Sequence, residues 1–321
     1  MGHDVTLLAP GDSKTKAKLV ATTPESLRAH AGSQFDMLRD RYKWIITGKA
    51  VELLEDGDFD IIHNHLGWRL LPFARRFKHK LLTTLHSPLE PPEQQVVLEP
   101  YADYAFASIS LNQQRGMPGL HFAGNAYNGI DVARFKASDG DGGYLAFLGR
   151  MSPEKGPVDA IKIAKATGQR LRMAAKVDVV DKKYFEKEVL PLVDGQQIEF
   201  IGEVVHEQKV AFLGQAKALL MPIHWEEPFG LVNTEAMACG TPVIGLRRGA
   251  LPEIIEDGIS GFLCDDVSMM IMRVGELDTI DRSACRTRAE ALFSKRHMAQ
   301  SYLEIYQAVL DAQPPGELAH A

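Results

Sequence analysis

Two glutamates stand eight positions apart, Glu227 and Glu235, in the stretch Leu219-Leu220-Met221-Pro222-Ile223-His224-Trp225-Glu226-Glu227-Pro228-Phe229-Gly230-Leu231 and its continuation through Gly249. An apolar strand ends at Pro222. A loop follows, and Pro228-Phe229-Gly230 opens a helix that Gly240-Thr241-Pro242 should stop. The first backbone N–H groups of such a helix have no partner inside it and carry positive partial charge, so a phosphate or pyrophosphate suits them. A carboxylate on the early turns, Glu235, would help the helix electrostatically on its own. It would also repel a bound phosphate unless it faced sideways, toward a hydroxylated neighbour such as a ribose. Glu227 lies before the helix, on the loop that faces the same cleft.

A second cluster is Phe147-Leu148-Gly149-Arg150-Met151-Ser152-Pro153-Glu154-Lys155-Gly156. It reads as a strand, a tight loop and a helix start at Pro153. Two isolated surface cations are usually just solvated. Here Arg150 and Lys155 flank a strand-to-helix turn and can meet a diphosphate, the arginine as a fork and the lysine as a point charge. In the first half, His63 and His65 end one strand and His86 ends another. A His-x-His pair invites a metal, but alternate residues face one way only while the strand lasts, and no third ligand is evident.

These groups need a parallel sheet to hold them. Short apolar runs alternate with helical patterns along the whole chain, the pattern of an α/β fold. The first half should carry strands Val5–Ala9, a buried one, then Phe59–His63, Leu81–Leu85, Tyr104–Ile109 and His121–Ala123. A helix should cover about Gln34–Leu54, with Phe35, Leu38, Tyr42, Ile45 and Ile46 at helical spacing. Ser138–Gly143 is polar and glycine-rich, and reads as a joint between domains. The second half should carry strands Leu145–Leu148, Leu171–Ala175, Gln197–Ile201, Ala218–Pro222, Pro242–Ile244 and Gly261–Leu263. Helices are expected at Pro153–Ala166 and Asp181–Leu192, and the chain should be helical from Asp265 to Gln313 before a polar, frayed tail.

With 321 residues there is room for two such domains, and 45% apolar and 24% charged residues are ordinary for a soluble protein. A net charge of −6 without a long basic run argues against a nucleic-acid surface. Cys239, Cys264 and Cys285 are odd in number and widely spaced, which suggests neither a disulfide frame nor a zinc site and fits a reducing cytoplasm. No apolar run reaches the length of a membrane span. The opening Met1-Gly2-His3-Asp4-Val5-Thr6 matches a loose myristoylation pattern, but a strand that follows at once is the better reading.

The Glu-x7-Glu spacing, set in Pro-Phe-Gly and Ala-Met-Ala-Cys-Gly-Thr-Pro, resembles the family-4 glycosyltransferases of the GT-B fold, and Gly149-Arg150 with Lys155-Gly156 matches that family's Gly-Arg-x-x-x-x-Lys-Gly pattern. Gly249-Ala250-Leu251-Pro252-Glu253 and Phe293–Met298 resemble further family segments, the former suited to packing and loop shape. The resemblance covers most of the chain. It implies two Rossmann-like domains facing a cleft: an acceptor-side domain over 1–140, a donor-binding domain over 141–296, and a helix over 297–321 that crosses back to the first. It implies retaining transfer of a sugar from a nucleotide sugar, UDP-glucose by default, to a hydroxyl of a saccharide, lipid-linked or small-molecule acceptor. No cofactor and no metal are implied. By the same likeness Arg150 and Lys155 take the pyrophosphate, and Glu235 the ribose. Phe229, Gly230 and Leu231 offer backbone N–H groups. Glu227 and His86 contact the transferred sugar, and His65 is a further cleft candidate.

Two rivals come from other classes. A dinucleotide oxidoreductase needs a Gly-x-Gly-x-x-Gly after its first strand, and none is present. The other is a non-catalytic or weakly active sugar-nucleotide binder. It draws on the opening Gly2–Ala9, which resembles the second strand of the family's first domain. The expectation is therefore a shortened domain without the first strand, the acceptor loop and the first helix.

Overall fold

A computed structural model of the protein describes residues 2–140 and 142–312. Asp141 of the joint, Gln313, the tail beyond it and Met1 of the myristoylation pattern lie outside the described residues. The described residues form twelve strands: β1 Thr6–Ala9, β2 Lys18–Ala21, β3 Ile62–Asn64, β4 Leu81–Thr84, β5 Ala105–Ser108, β6 Phe122–Asn125, β7 Tyr144–Leu148, β8 Arg170–Ala174, β9 Ile198–Gly202, β10 Ala218–Met221, β11 Val243–Leu246 and β12 Gly261–Cys264.

The second half builds one six-stranded parallel sheet in the order β9-β8-β7-β10-β11-β12. Its strands bury both faces, and Leu145, Leu171, Ile198, Leu219 and Ile244 are fully buried. Strand order reverses between β7 and β10, so the crossovers leave that edge on opposite faces and open a crevice at the carboxyl ends of the two strands. The Arg150–Lys155 and Glu227–Glu235 segments are both attached there.

The first half builds a four-stranded parallel sheet, β3-β4-β5-β6, and among the described residues β1 pairs only with β2. Successive strand residues face opposite sides. Leu81 and Phe106 join one core with Leu54, Leu70 and Leu98, whereas Leu82, Ala105 and Ala107 meet Tyr302, Ile305 and Val309 of the last helix, Lys295–Asp311. That helix is steered across by Ile130, whose N–H donates to Phe293 O (2.8 Å) and whose carbonyl accepts from Lys295 N (2.9 Å).

Several elements depart from the sequence reading. Val5–Ala9 is not a buried strand, since Val5 is 52% and Leu7 36% exposed. β2 escaped notice because Leu19-Val20 alone is too short an apolar run. The long helix spans Phe35–Asp56, with Ile45 exposed and the core contacts made by Thr47, Ala50 and Leu54. The helix expected from Pro153 is a 3-10 turn, Pro153–Lys155, followed by Pro157–Thr167. Gly156 between them has φ 71°, and a Cβ there would lie 2.0 Å from Pro222 O, so the β7 loop runs hard against the end of β10. Asp181–Leu192 is not one α-helix but a single turn, a π segment and a 3-10 turn ending around Pro191. The joint is fastened rather than loose, for Arg282 donates to Ser138 O, Ala216 O and Gly214 O within 3.0 Å.

Candidate functional site

The crevice at the ends of β7 and β10 holds a cleft of about 430 Å³ lined by Arg150, Lys155, Glu227, Gly230, Leu231 and Glu235, with Lys209 and Lys176 beside them. The helix after the Glu227 loop begins at Leu231 rather than Pro228, with Gly230 as its N-cap. Pro228 and Phe229 stay in the loop. The two loops are stitched together: His224 N donates to Glu154 O at 2.8 Å, which sets Lys155 opposite Glu227.

Within the cleft the charges are paired. Lys155 Nζ donates to Glu227 Oε2, with only 16% and 10% of the two side chains exposed. Trp225 Nε1 donates to the same oxygen (3.1 Å), and the Lys155 ammonium lies 4.8 Å from the Trp225 ring centroid. Lys209 Nζ donates to Glu235 Oε1 at 2.5 Å. Arg150 is held by Glu154 and, at 3.3 Å, by Asp181, whose carboxyl burial pushes up from its usual value. Each anionic group thus has a cation that a bound phosphate could compete for, beside a helix start with free N–H groups.

Phe229 and His86 sit elsewhere. The Phe229 ring is buried between Tyr127 (6.1 Å) and Phe293 (5.8 Å) and does not line the cleft. His86 lines a second cavity of about 480 Å³ in the first half, together with His65. His65 Nδ1 and His86 Nε2 are 2.9 Å apart. Behind them His63 bonds Thr84 Oγ1 and Tyr306 Oη, each at 2.7 Å. Burial, then the neighbouring imidazoles, lower the pKa of His63 to about 3. Among the described residues no group of His, Cys, Asp and Glu is placed to hold a metal ion.

A link between the halves was not legible in any motif. Glu253 accepts from Leu111 N and Asn112 N (both 2.7 Å) and from Tyr127 Oη (3.0 Å). Glu226 accepts from Gly249 N (2.8 Å) and Asn112 Nδ2 (3.3 Å). Gln113 Nε2 in turn donates to Leu85 O (3.1 Å) and Ser87 O (2.8 Å), the carbonyls on either side of His86. The short helix Leu111–Arg115 therefore ties the loop bearing His86 to the loop bearing Glu227. Lys209 was missed as well, because it stands in no motif and reaches Glu235 only through the placement of helix His206–Gln215.

Comparison with known proteins agrees with this architecture. Residues 131–272 match the family described as Glycosyl transferases group 1, and residues 1–114 match Glycosyltransferase Family 4. A D-inositol 3-phosphate glycosyltransferase of Mycolicibacterium smegmatis is 28% identical over 308 residues, covering 80% of this chain and 69% of that one. Matched stretches span 46%, 69% and 36% of three such curated relatives' own lengths. A glycosyltransferase involved in avilamycin A biosynthesis superposes with a TM-score of 0.72 at 23% identity, over 97% of this chain and 86% of that one. An Anabaena protein solved with UDP and glucose gives 0.70 at 18% identity, over 91% and 86%. Those solved structures share its fold of two Rossmann-like domains, GT-B. No helix of the described residues is long and apolar enough to cross a membrane. With one family profile on each half and a charged cleft at the reversal of the second sheet, the chain belongs to the group 1, family 4 glycosyltransferases.

Proposed function

We propose that the protein moves a sugar from a UDP-sugar to an acceptor hydroxyl with retention of anomeric configuration. The observation that carries this reading is the cleft of paired charges at the reversal of the second sheet, where Lys155 meets Glu227 and Lys209 meets Glu235 beside the start of helix Leu231–Ala238. Arg150 and Lys155 turn to the pyrophosphate when it arrives, and the N–H groups at Phe229, Gly230 and Leu231 add donors. Glu235 takes the ribose hydroxyls, held in place by Lys209. Glu227, released from Lys155, contacts the transferred sugar, and His86 approaches it from the other half.

The acceptor oxygen forms its bond to the anomeric carbon as the bond from that carbon to the phosphate oxygen breaks. The acceptor proton passes to the departing phosphate. Such a step asks for charge stabilisation at the leaving group more than for a general base, and cations with helix N–H groups supply it. The Anabaena structure with UDP and glucose supports uridine as the base. The phosphorylated acceptor in the name of the Mycolicibacterium relative supports a small polyol class.

A thermal-shift and hydrolysis screen of nucleotide sugars tests the reading. UDP should raise the melting temperature in step with its concentration over its dissociation constant. UDP-glucose should be consumed in EDTA. A chain that no uridine nucleotide stabilises would refute the donor assignment.

A further inference from the structure

The second cavity has a charge problem that the donor site does not. Lys43, Arg69, Trp68, His65, His86 and Gln94 line its 480 Å³. Lys43 and Arg69 share a single carboxylate, Asp40, at 3.7 and 3.4 Å. Asp40 stands out in water with 67% of its side chain exposed, whereas Arg69 keeps only 21%. A pair so exposed on its acidic side is screened and offsets little of the positive charge inside. Arg69 Nε is moreover buried with no hydrogen-bond partner among the described residues. A buried donor on a cation is expensive to leave unpaired. Burial, then repulsion from Arg69 and Arg39, lowers the pKa of Lys43 in spite of the opposing pull of Asp40, so positive charge is crowded here and only partly compensated.

The rest of the lining is uncharged. The Arg69 guanidinium lies over the Trp68 ring, 5.0 Å from its centroid, and Trp68 packs edge-on against Trp44 at 6.0 Å. Gln94, Ser87 and the imidazoles of His65 and His86 offer neutral hydrogen-bonding groups suited to hydroxyls. One end therefore suits an anion and the rest a polyol. The cavity volume accommodates a phosphorylated monosaccharide or cyclitol, at the lower part of the usual range for small-molecule sites.

We infer that this cavity seats the acceptor, and that the acceptor is a sugar or polyol carrying a phosphate or carboxylate gripped by Lys43 and Arg69, with a free hydroxyl beside His86. The inference rests on the transferase reading for the word acceptor, and on the cavity alone for the anion. Arg69 takes the acidic group through its terminal guanidinium nitrogens, and Lys43 adds a point charge. The tie from Glu226 through Asn112 and Gln113 keeps the His86 loop in register with the Glu227 loop.

The test uses the full chain at constant ionic strength and saturating UDP, so that phosphate groups cannot report on the donor cleft. Glucose 6-phosphate, glucuronate and glucose are added in turn, with the increment in melting temperature as readout, and the same series is run without UDP. Glucose 6-phosphate or glucuronate should give an increment that glucose does not. Lys43→Gln should weaken it about tenfold, and Arg69→Gln should abolish it, with the UDP shift retained in both. Glucose performing as well as both acids overturns the inference. So does an increment that Lys43→Gln, which keeps a polar side chain at a half-exposed position, leaves unchanged. A missing UDP shift in the parent chain would sink the donor assignment instead, while the series without UDP still decides the anion site.

Discussion

The two halves of the molecule share a parallel-sheet plan but carry their sites in opposite ways. In the second half the ligand-facing groups lie in two short segments, 149–156 and 224–235, each attached to one of the two strands at which sheet order reverses. In the first half the cavity draws on the long helix, the loop after β3, the loop after β4 and the helix Pro92–Leu98. A site at a topological reversal is concentrated because the two adjacent strand ends supply it. A site along the flank of a sheet has to be gathered from whatever packs there. Charge differs too: acids and bases are matched in the first of these sites, and cations are in excess in the second.

The largest effect should follow from the close approach that holds the two donor segments together. Gly156→Ala forces a left-handed backbone on an alanine and drives its Cβ into Pro222 O, which together should cost about 3 kcal/mol or more. Urea denaturation measures it, and a loss under 1 kcal/mol would mean that the two loops are not held as described. Next comes Lys155→Ala. On the proposed reading it removes a phosphate contact, and it strands Glu227 with 10% exposure, so UDP binding should weaken about 10- to 100-fold. Glu227→Gln separates the two roles. Turnover should fall about 30-fold, but Lys155 is freed for the phosphate, so UDP affinity should hold or improve. A parallel loss of UDP affinity in this variant would place Glu227 on the nucleotide instead.

That contrast explains what could be read from residues alone. Six of the eight candidate residues line one cleft, because Gly-Arg-x-x-x-x-Lys-Gly and Glu-x7-Glu encode loop shape and chemistry in the same few positions. His86 came to light through its place after a strand, yet its neighbours Lys43, Trp68 and Arg69 carried no pattern. Their meaning depends on the packing of Phe35–Asp56 over the sheet. Strands were legible wherever both faces are buried. β1 and β2 were misread or missed because an exposed two-stranded pair does not show a run of apolar residues. Helix starts were misplaced by three residues at Pro228 and by four at Pro153, since proline favours a first turn without saying whether a glycine will interrupt it.

The bridge between the halves gives a smaller effect than the donor cleft. Glu253 accepts three hydrogen bonds across it, and burial together with that carboxylate pushes the Tyr127 hydroxyl up to about 12. Glu253→Gln keeps the shape, loses the charge that made those bonds strong and sets an amide NH2 against one of the two backbone N–H groups. Turnover should fall about tenfold, about 1.4 kcal/mol, with UDP affinity unchanged because no donor contact is touched. Equal losses in both would show that Glu253 shapes the donor loop and not the approach of the two halves.

The smallest effect concerns the first half alone and appears only in acid. His63 is half-buried between Thr84 and Tyr306, and its pKa falls from 6.5 to about 3, chiefly through burial and then through His65 and His86. The folded protein therefore keeps this imidazole neutral, while the unfolded chain protonates it below about 6.5. Between those two values the unfolded state binds the extra proton, so stability is full above pH 6.5 and is lost as pH falls. From pH 7.5 to 5.5 one such group removes about 1.4 kcal/mol. His63→Gln retains a donor and an acceptor for Tyr306 and Thr84 but cannot titrate. It should be less stable than the parent at pH 7.5 or equal to it, and should lose about 1.4 kcal/mol less on acidification to pH 5.5. Urea denaturation of both chains at the two pH values measures the difference of differences, from which any constant cost of the substitution cancels. Parallel losses would mean that His63 takes up its proton as easily in the fold as outside it, and that the last helix does not seal it.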